Sequence, residues 1–131
     1  MIALDTNVLV RFLVEDDAAQ LERARRFLQK AVDSDSSCYV SDIVMCEVVW
    51  VLERSYKFRK AQIGQVLGSL LRSRNLAFSS SERLARALEA YGAGLGDFAD
   101  YLIREHARAS GCEVVATFDG NLLKEPGFVE V

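Results

Sequence analysis

Five acids in this chain stand where a surface carboxylate has little to do. Asp5 closes the short apolar run at residues 2–4, and Thr6 and Asn7 follow it before a second apolar run at 8–10. Glu47 is the one polar residue in IVMCEVVWVL (43–52). Asp97 and Asp100, in GLGDFADYLI, are three residues apart, so they share one face at the start of a helical pattern. Asp119 follows VVATF. Ordinary explanations exist for most of them. Asp5 and Asp97 suit helix N-caps, Asp100 suits a first turn or a pair with Arg104, and Asp119-Gly120 suits a turn. Glu47 is harder to place. Its apolar neighbours predict burial, and a buried carboxylate needs an arginine partner, a position at the helix rim, or a cation. Glu22, Asp33, Asp35, Glu82 and Glu89 fall on solvated faces or loops and carry no role.

Several carboxylates aimed at one spot repel each other unless a cation neutralises them. All-oxygen ligation suits Mg²⁺ or Mn²⁺, which keep several waters and accept phosphate oxygens beside one or two carboxylates. Such a cation lowers the pKa of a bound water and stabilises charge on a phosphate in transfer, so the chemistry indicated is metal-assisted phosphodiester hydrolysis. The single histidine, His106, excludes mechanisms that need two. Cys38, Cys46 and Cys112 lack CxxC spacing and read as buried free thiols of a reducing cytosol.

A net charge of −3 argues against a protein that holds nucleic acid through its global field. Local basic clusters remain: RARR (23–26), RSYKFRK (54–60) and RSR (72–74). On helices such runs are commonly solvated faces. If RNA is bound, some should flank the acids and hold phosphates, with Tyr56 and Phe58 able to stack bases.

The elements that must position the acids follow from periodicity. Strand-like segments lie at 2–4, 38–40, 76–78, 114–118 and 128–129. Helical patterns lie between them. AAQLERARRFLQKAV places Leu21, Ala24, Phe27, Leu28 and Val32 on one face and Arg23, Arg26 and Lys30 around the other. SDIVMCEVVWVLERS starts at Ser41 as N-cap; RKAQIGQVLGSLLRSR, SERLARALEAYG and DFADYLIREHARASG follow, the last stopped by Gly111. Short strands alternating with amphipathic helices make an α/β fold with a mainly parallel sheet, whose ligands bind at the carboxyl ends of the strands. With 131 residues, half of them apolar, and no linker, the expectation is a single domain over residues 1–131. No basic leader or long apolar run is seen, so a cytoplasmic protein without membrane contact is expected. The apolar fraction also suggests shared surface, as in a homodimer with a groove for a partner segment.

In its order of features, the sequence resembles the PIN-domain ribonucleases, and within them the VapC-type toxins of bacterial toxin–antitoxin pairs. The features are LDTNVLV, an isolated Glu47 in the second long helix pattern, DFADYLI and VVATFDGNL, and the likeness spans essentially the whole chain. The resemblance implies a PIN-like three-layer sandwich, with a mainly parallel central sheet of about five strands flanked by helices. It implies an endoribonuclease dependent on Mg²⁺ or Mn²⁺, the toxin of a type II pair, with RNA as substrate and a cognate antitoxin as partner. Asp5, Glu47, Asp100 and Asp119 match the family's catalytic and metal-binding quartet, Asp100 being preferred because it directly precedes an apolar helical run. Asp97 is an extra acid, as in some members, that suits a role supporting the ligands or an alternative ligand. Thr6, Asn7 and Thr117 match small polar positions that hydrogen-bond the carboxylates. Arg104 and His106 depart from the small residues of many relatives, which bears on the packing of that helix.

Two other classes compete. A haloacid-dehalogenase-like phosphatase also opens with a strand ending in Asp, but it needs a second Asp where Asn7 stands, and the chain is short for that fold. A receiver domain lacks its adjacent acids and its late lysine here. A non-enzymatic interaction module accounts for the apolar content and leaves Glu47 unexplained.

Overall fold

A computed structural model describes all 131 residues, in two compact units, Met1–Ser79 and Ser80–Val131. In the first unit the order is β1 (Ile2–Ala3), α1 (Thr6–Leu13), α2 (Ala18–Asp33), β2 (Cys38–Val40), α3 (Asp42–Arg54), α4 (Lys60–Leu71) and β3 (Leu76–Phe78). The strands form a parallel sheet in the order β1-β2-β3, with Ile2 opposite Cys38 and Cys38 opposite Leu76. Parallel neighbours need a crossover, and helices supply it both times. The core comprises Leu9 and Val10 of α1, Val40 of β2, Met45, Val48 and Leu52 of α3, and Ile63 and Leu67 of α4. Capping fixes where the helices begin. The Ser41 hydroxyl accepts from the Val44 N–H at 3.1 Å, and Asp17 accepts from the Gln20 N–H at 3.0 Å.

The second unit contains α5 (Ser81–Ala93), α6 (Phe98–Ala109), β4 (Val115–Thr117), a 3₁₀ turn (Leu122–Lys124) and β5 (Phe128–Glu130), with β4 and β5 paired in parallel. Leu84, Ala87 and Tyr91 of α5 and Phe98, Tyr101 and Leu102 of α6 are buried. Tyr91 and Phe98 meet edge to face at 6.1 Å. α6 stops where expected, with Gly111 at φ +88°.

Arg104 settles how α6 packs. Its guanidinium is buried, donates to the Pro126 carbonyl at 2.9 Å, lies 5.2 Å from the Tyr101 ring centroid and 5.7 Å from that of Phe128, and approaches Glu105 at 3.6 Å. Its partners are therefore Pro126 and Glu105, and Asp100 is left to other contacts. Glu105, also buried, takes further bonds from Arg86 at 3.2 Å and Arg108 at 3.0 Å.

Three expectations need correction. The main sheet has three strands, and the other two form a separate pair. Each strand pairs over only two or three residues, so an apolar run such as 114–118 is longer than the ladder it feeds, and Phe118 is 88% exposed. On α2, Leu21, Ala24 and Leu28 are half-buried while Phe27 and Val32 are exposed. Of the thiols, Cys38 is buried, Cys46 half-buried and Cys112 exposed; burial, with Asp42 nearby, pushes the Cys46 pKa up to about 11. No helix is long and apolar enough to cross a membrane.

Candidate active site

Asp5 occupies the turn from β1 into α1. The chain arrives extended (φ −81°, ψ 161°), and Asp5 caps α1 through its Oδ1, which accepts from the Thr6 N–H at 2.8 Å. A capping acid ordinarily reaches the second or third N–H of the helix. Here the bond goes to the first, so the carboxylate stays close to the β1 end and is exposed to solvent. Thr6 is buried, and its hydroxyl donates to Glu47 Oε2 at 2.5 Å. One buried residue thus ties Asp5 and Glu47 together, its backbone to the first and its side chain to the second.

Glu47 itself is exposed, against the burial predicted from its neighbours. The helix explains why. Met45, Val48, Val49 and Leu52 face the core, and Ile43, Glu47 and Trp50 face outward at spacings of four and three. α3 is apolar on both sides, so apolar neighbours in sequence did not mean an apolar environment. Arg54 continues the outward row and stacks over Trp50 at 4.6 Å. Asn7 is exposed and lines a groove that also contains Asp5.

In the second unit, Asp97 is the N-cap of α6 and Asp100 closes a reciprocal capping box, its Oδ2 accepting from the Asp97 N–H at 2.8 Å. Asp100 is half-buried, and its pKa is raised. Burial is the main cause, reinforced by the charges of Asp97, Asp119 and Glu125 and opposed by the Asp97 N–H bond. Asp100 therefore fills the first-turn capping role weighed from sequence, and the alternative pair with Arg104 does not form. Asp119 lies exposed after β4; its Oδ1 accepts from the Asn121 N–H at 2.9 Å, and its own N–H donates to Thr117 Oγ1 at 3.0 Å. Thr117 thus holds the backbone of Asp119.

A hydrogen-bonded knot joins the Asp97 and Asp119 segments. Glu125 Oε1 accepts from the Tyr101 hydroxyl at 2.6 Å and from the Leu95 N–H at 2.7 Å, while the Gly96 N–H donates to the Tyr101 oxygen at 2.9 Å. Burial and the Glu125 bond push the Tyr101 pKa up to about 12. The loop before Asp97 is glycine-rich for a visible reason: a Cβ on Gly96 would stand 2.6 Å from Leu122 Cδ2. Sequence reading missed Tyr101 and Glu125. The signal available was the Gly94-Leu95-Gly96 triplet, which marks a close approach of backbone to something.

Within neither unit do three His, Cys, Asp or Glu side chains gather into a ready metal site. The candidate donors are all carboxylates: Asp5 and Glu47, linked through Thr6, in the first unit, and Asp97, Asp100 and Asp119, without a three-acid cluster, in the second. That donor chemistry fits a hard divalent cation and no soft one.

The PIN domain family profile matches residues 2–128. The chain belongs to the PIN-domain family. The α/β PIN-like fold implied by the resemblance is accordingly its fold, with the smaller sheet described above. This PIN domain is 28% identical over 128 residues to a VapC ribonuclease of Aquifex aeolicus (strain VF5), an alignment covering 98% of this chain and 93% of that protein.

Proposed function

We propose that this PIN domain is a divalent-metal-dependent endoribonuclease, acting as the toxin of a type II toxin–antitoxin pair in the cytoplasm. The observation that carries the reading is the Thr6 bridge, which joins the Asp5 turn to Glu47 across 41 residues of sequence. A helix cap alone gives no reason for a buried hydroxyl to hold a second, exposed acid. The near full-length likeness to a VapC ribonuclease supports RNA as the substrate.

Asp5, Glu47, Asp100 and Asp119 are the residues we assign to metal binding and catalysis, with Asp97 as an auxiliary acid, in one functional domain over residues 1–131. Bound Mg²⁺ or Mn²⁺ would supply neutralisation of these acids and activation of water toward a phosphodiester. Thr6 holds Glu47 in place while leaving its second oxygen open, and its N–H holds Asp5. Thr117 and the Asn121 N–H fix the Asp119 turn. The capping box aligns Asp100, and Asp97 adds charge beside it. Ile43 and Trp50, exposed on one α3 face, provide apolar area for a homodimer or for an antitoxin.

Incubation with unstructured RNA and, separately, with p-nitrophenyl phosphate tests this reading. RNA cleavage in Mn²⁺ that stops in chelator, with the phosphomonoester untouched, is expected. Hydrolysis of the phosphomonoester alone would move the protein to the phosphatases, and activity on neither would leave an interaction module.

A further inference from the structure

We propose that the groove between α1 and α2 seats single-stranded RNA, with Arg23 and Lys30 contacting phosphates and Phe27 stacking on a base; the proposal rests on the ribonuclease reading above. The groove encloses about 680 Å³ and includes Asp5 and Asn7 on the α1 side. Arg23, Phe27 and Lys30 line it from α2 at positions i, i+4 and i+7, so they form one stripe, its ends about 10 Å apart along the helix axis.

Charge singles this groove out. The chain carries −3 overall, yet Arg11, Arg23, Arg26 and Lys30 all line the groove, against Asp5 as its acid. Arg11 is engaged by Asp16 at 2.5 Å and Arg26 by Glu22 at 3.0 Å. Arg23 and Lys30 have no acid partner. Between these two cations Phe27 is 42% exposed, although its helix offers an apolar face for it to join. Unpaired cations flanking an exposed aromatic ring, beside a candidate catalytic acid, match the requirements of a flexible polyanion with flat bases. An acidic peptide would answer the cations and leave the ring without a partner of its own kind.

The test is fluorescence anisotropy of a short labelled oligouridine with the full chain in chelator, so that binding is read without cleavage. Arg23 and Lys30 are exposed, so the Arg23→Ala/Lys30→Ala variant should keep its fold, as circular dichroism will show. It should lose most of the binding, and its log–log salt slope should become shallower by about 0.7 for each cation removed. Phe27→Ala should weaken binding and leave the slope unchanged. Arg72→Ala/Arg74→Ala, outside the groove, should bind as wild type does. Unchanged affinity and slope in Arg23→Ala/Lys30→Ala would overturn the proposal, as would tighter binding of an oligoglutamate peptide than of RNA through the same two cations. RNA bound through Arg23 and Lys30 by a protein that cleaves none upholds the groove and defeats the ribonuclease reading. Metal-dependent cleavage with binding indifferent to both cations does the reverse.

Discussion

Thr6 Oγ1 donates to Glu47 Oε2 at 2.5 Å, from a buried position on α1 to an exposed one on α3. The bond orients a carboxylate that nothing else in its helix would hold still. Thr6→Val removes the donor and keeps the shape. Glu47 remains solvated, so the stability loss should be no more than about 1 kcal/mol. RNA cleavage should fall by roughly 10–100-fold, the usual cost of losing a group that orients a ligand, and Thr6→Ser should restore it. Initial rates and melting curves of the three proteins check this, and a Thr6→Val enzyme as fast as wild type refutes it.

Asp100 supplies a pH-dependent prediction. Its folded pKa is raised, chiefly by burial, so the folded state binds its proton more tightly than the unfolded chain does. That contribution to stability is complete below the unfolded value near 4 and is lost as pH rises through the folded value. Asp100→Asn keeps an acceptor for the Asp97 N–H and carries no charge. It should melt higher than wild type at neutral pH, and the difference should vanish as pH falls below about 4. A constant difference across pH would mean that Asp100 acts only as a cap.

Tyr101 and Glu125 hold the loop that leads into Asp97. Tyr101→Phe removes the oxygen that accepts from the buried Gly96 N–H and the hydroxyl that donates to Glu125 Oε1, which keeps its bond from the Leu95 N–H; the loss should be about 1–3 kcal/mol. Glu125→Gln still offers a carbonyl oxygen to both donors and should cost less. Denaturant unfolding of the two variants measures the difference, and equal losses would show that the charge of Glu125 matters more than its geometry.

Glu105 is 4% exposed and faces three arginines, of which Arg104 is itself buried. Glu105→Ala leaves that guanidinium without its counter-charge, for a loss of about 3–5 kcal/mol. Urea denaturation would read it directly; a loss under ~1 kcal/mol would mean that water reaches Arg104.

The apolar row on α3 bears on assembly. If Ile43 and Trp50 are shared between copies, sedimentation at micromolar concentration should give a dimer, and Ile43→Glu should give a monomer that still folds. A monomeric wild type would remove the homodimer from the account.

Much of the fold was written locally. Residues 38–40 and 76–78 pair as read, Ser41 caps as read, and Gly111 stops α6, because caps and short apolar alternation act within a few residues. What failed depended on neighbours distant in sequence. Periodicity put Phe27 with Leu21 and Leu28, but Phe27 sits at the edge of that face beside Arg23 and Lys30, and packing covers only the narrower strip of Leu21, Ala24 and Leu28. Glu47 misled for the same reason: α3 is apolar on its outer side too. The sheet of about five strands became three and two because pairing is a long-range property of runs only two or three residues long. In the candidate site, the acids and Thr6 could be named from sequence. The bond between Tyr101 and Glu125 could not, since it spans 24 residues and Glu125 lies in no motif.

Asp5, Glu47, Asp100 and Asp119 are proposed to perform metal-dependent RNA hydrolysis together. The direct measurement is the single-turnover cleavage rate of one unstructured RNA in Mn²⁺, for wild type and for Asp5→Asn, Glu47→Gln, Asp100→Asn, Asp119→Asn and Asp97→Asn, each shown folded by circular dichroism. The first four should lose most of the rate, Asp97→Asn should lose less, and chelator should abolish the wild-type activity. Near-normal cleavage by any of the four, or wild-type cleavage that persists in chelator, would contradict this assignment.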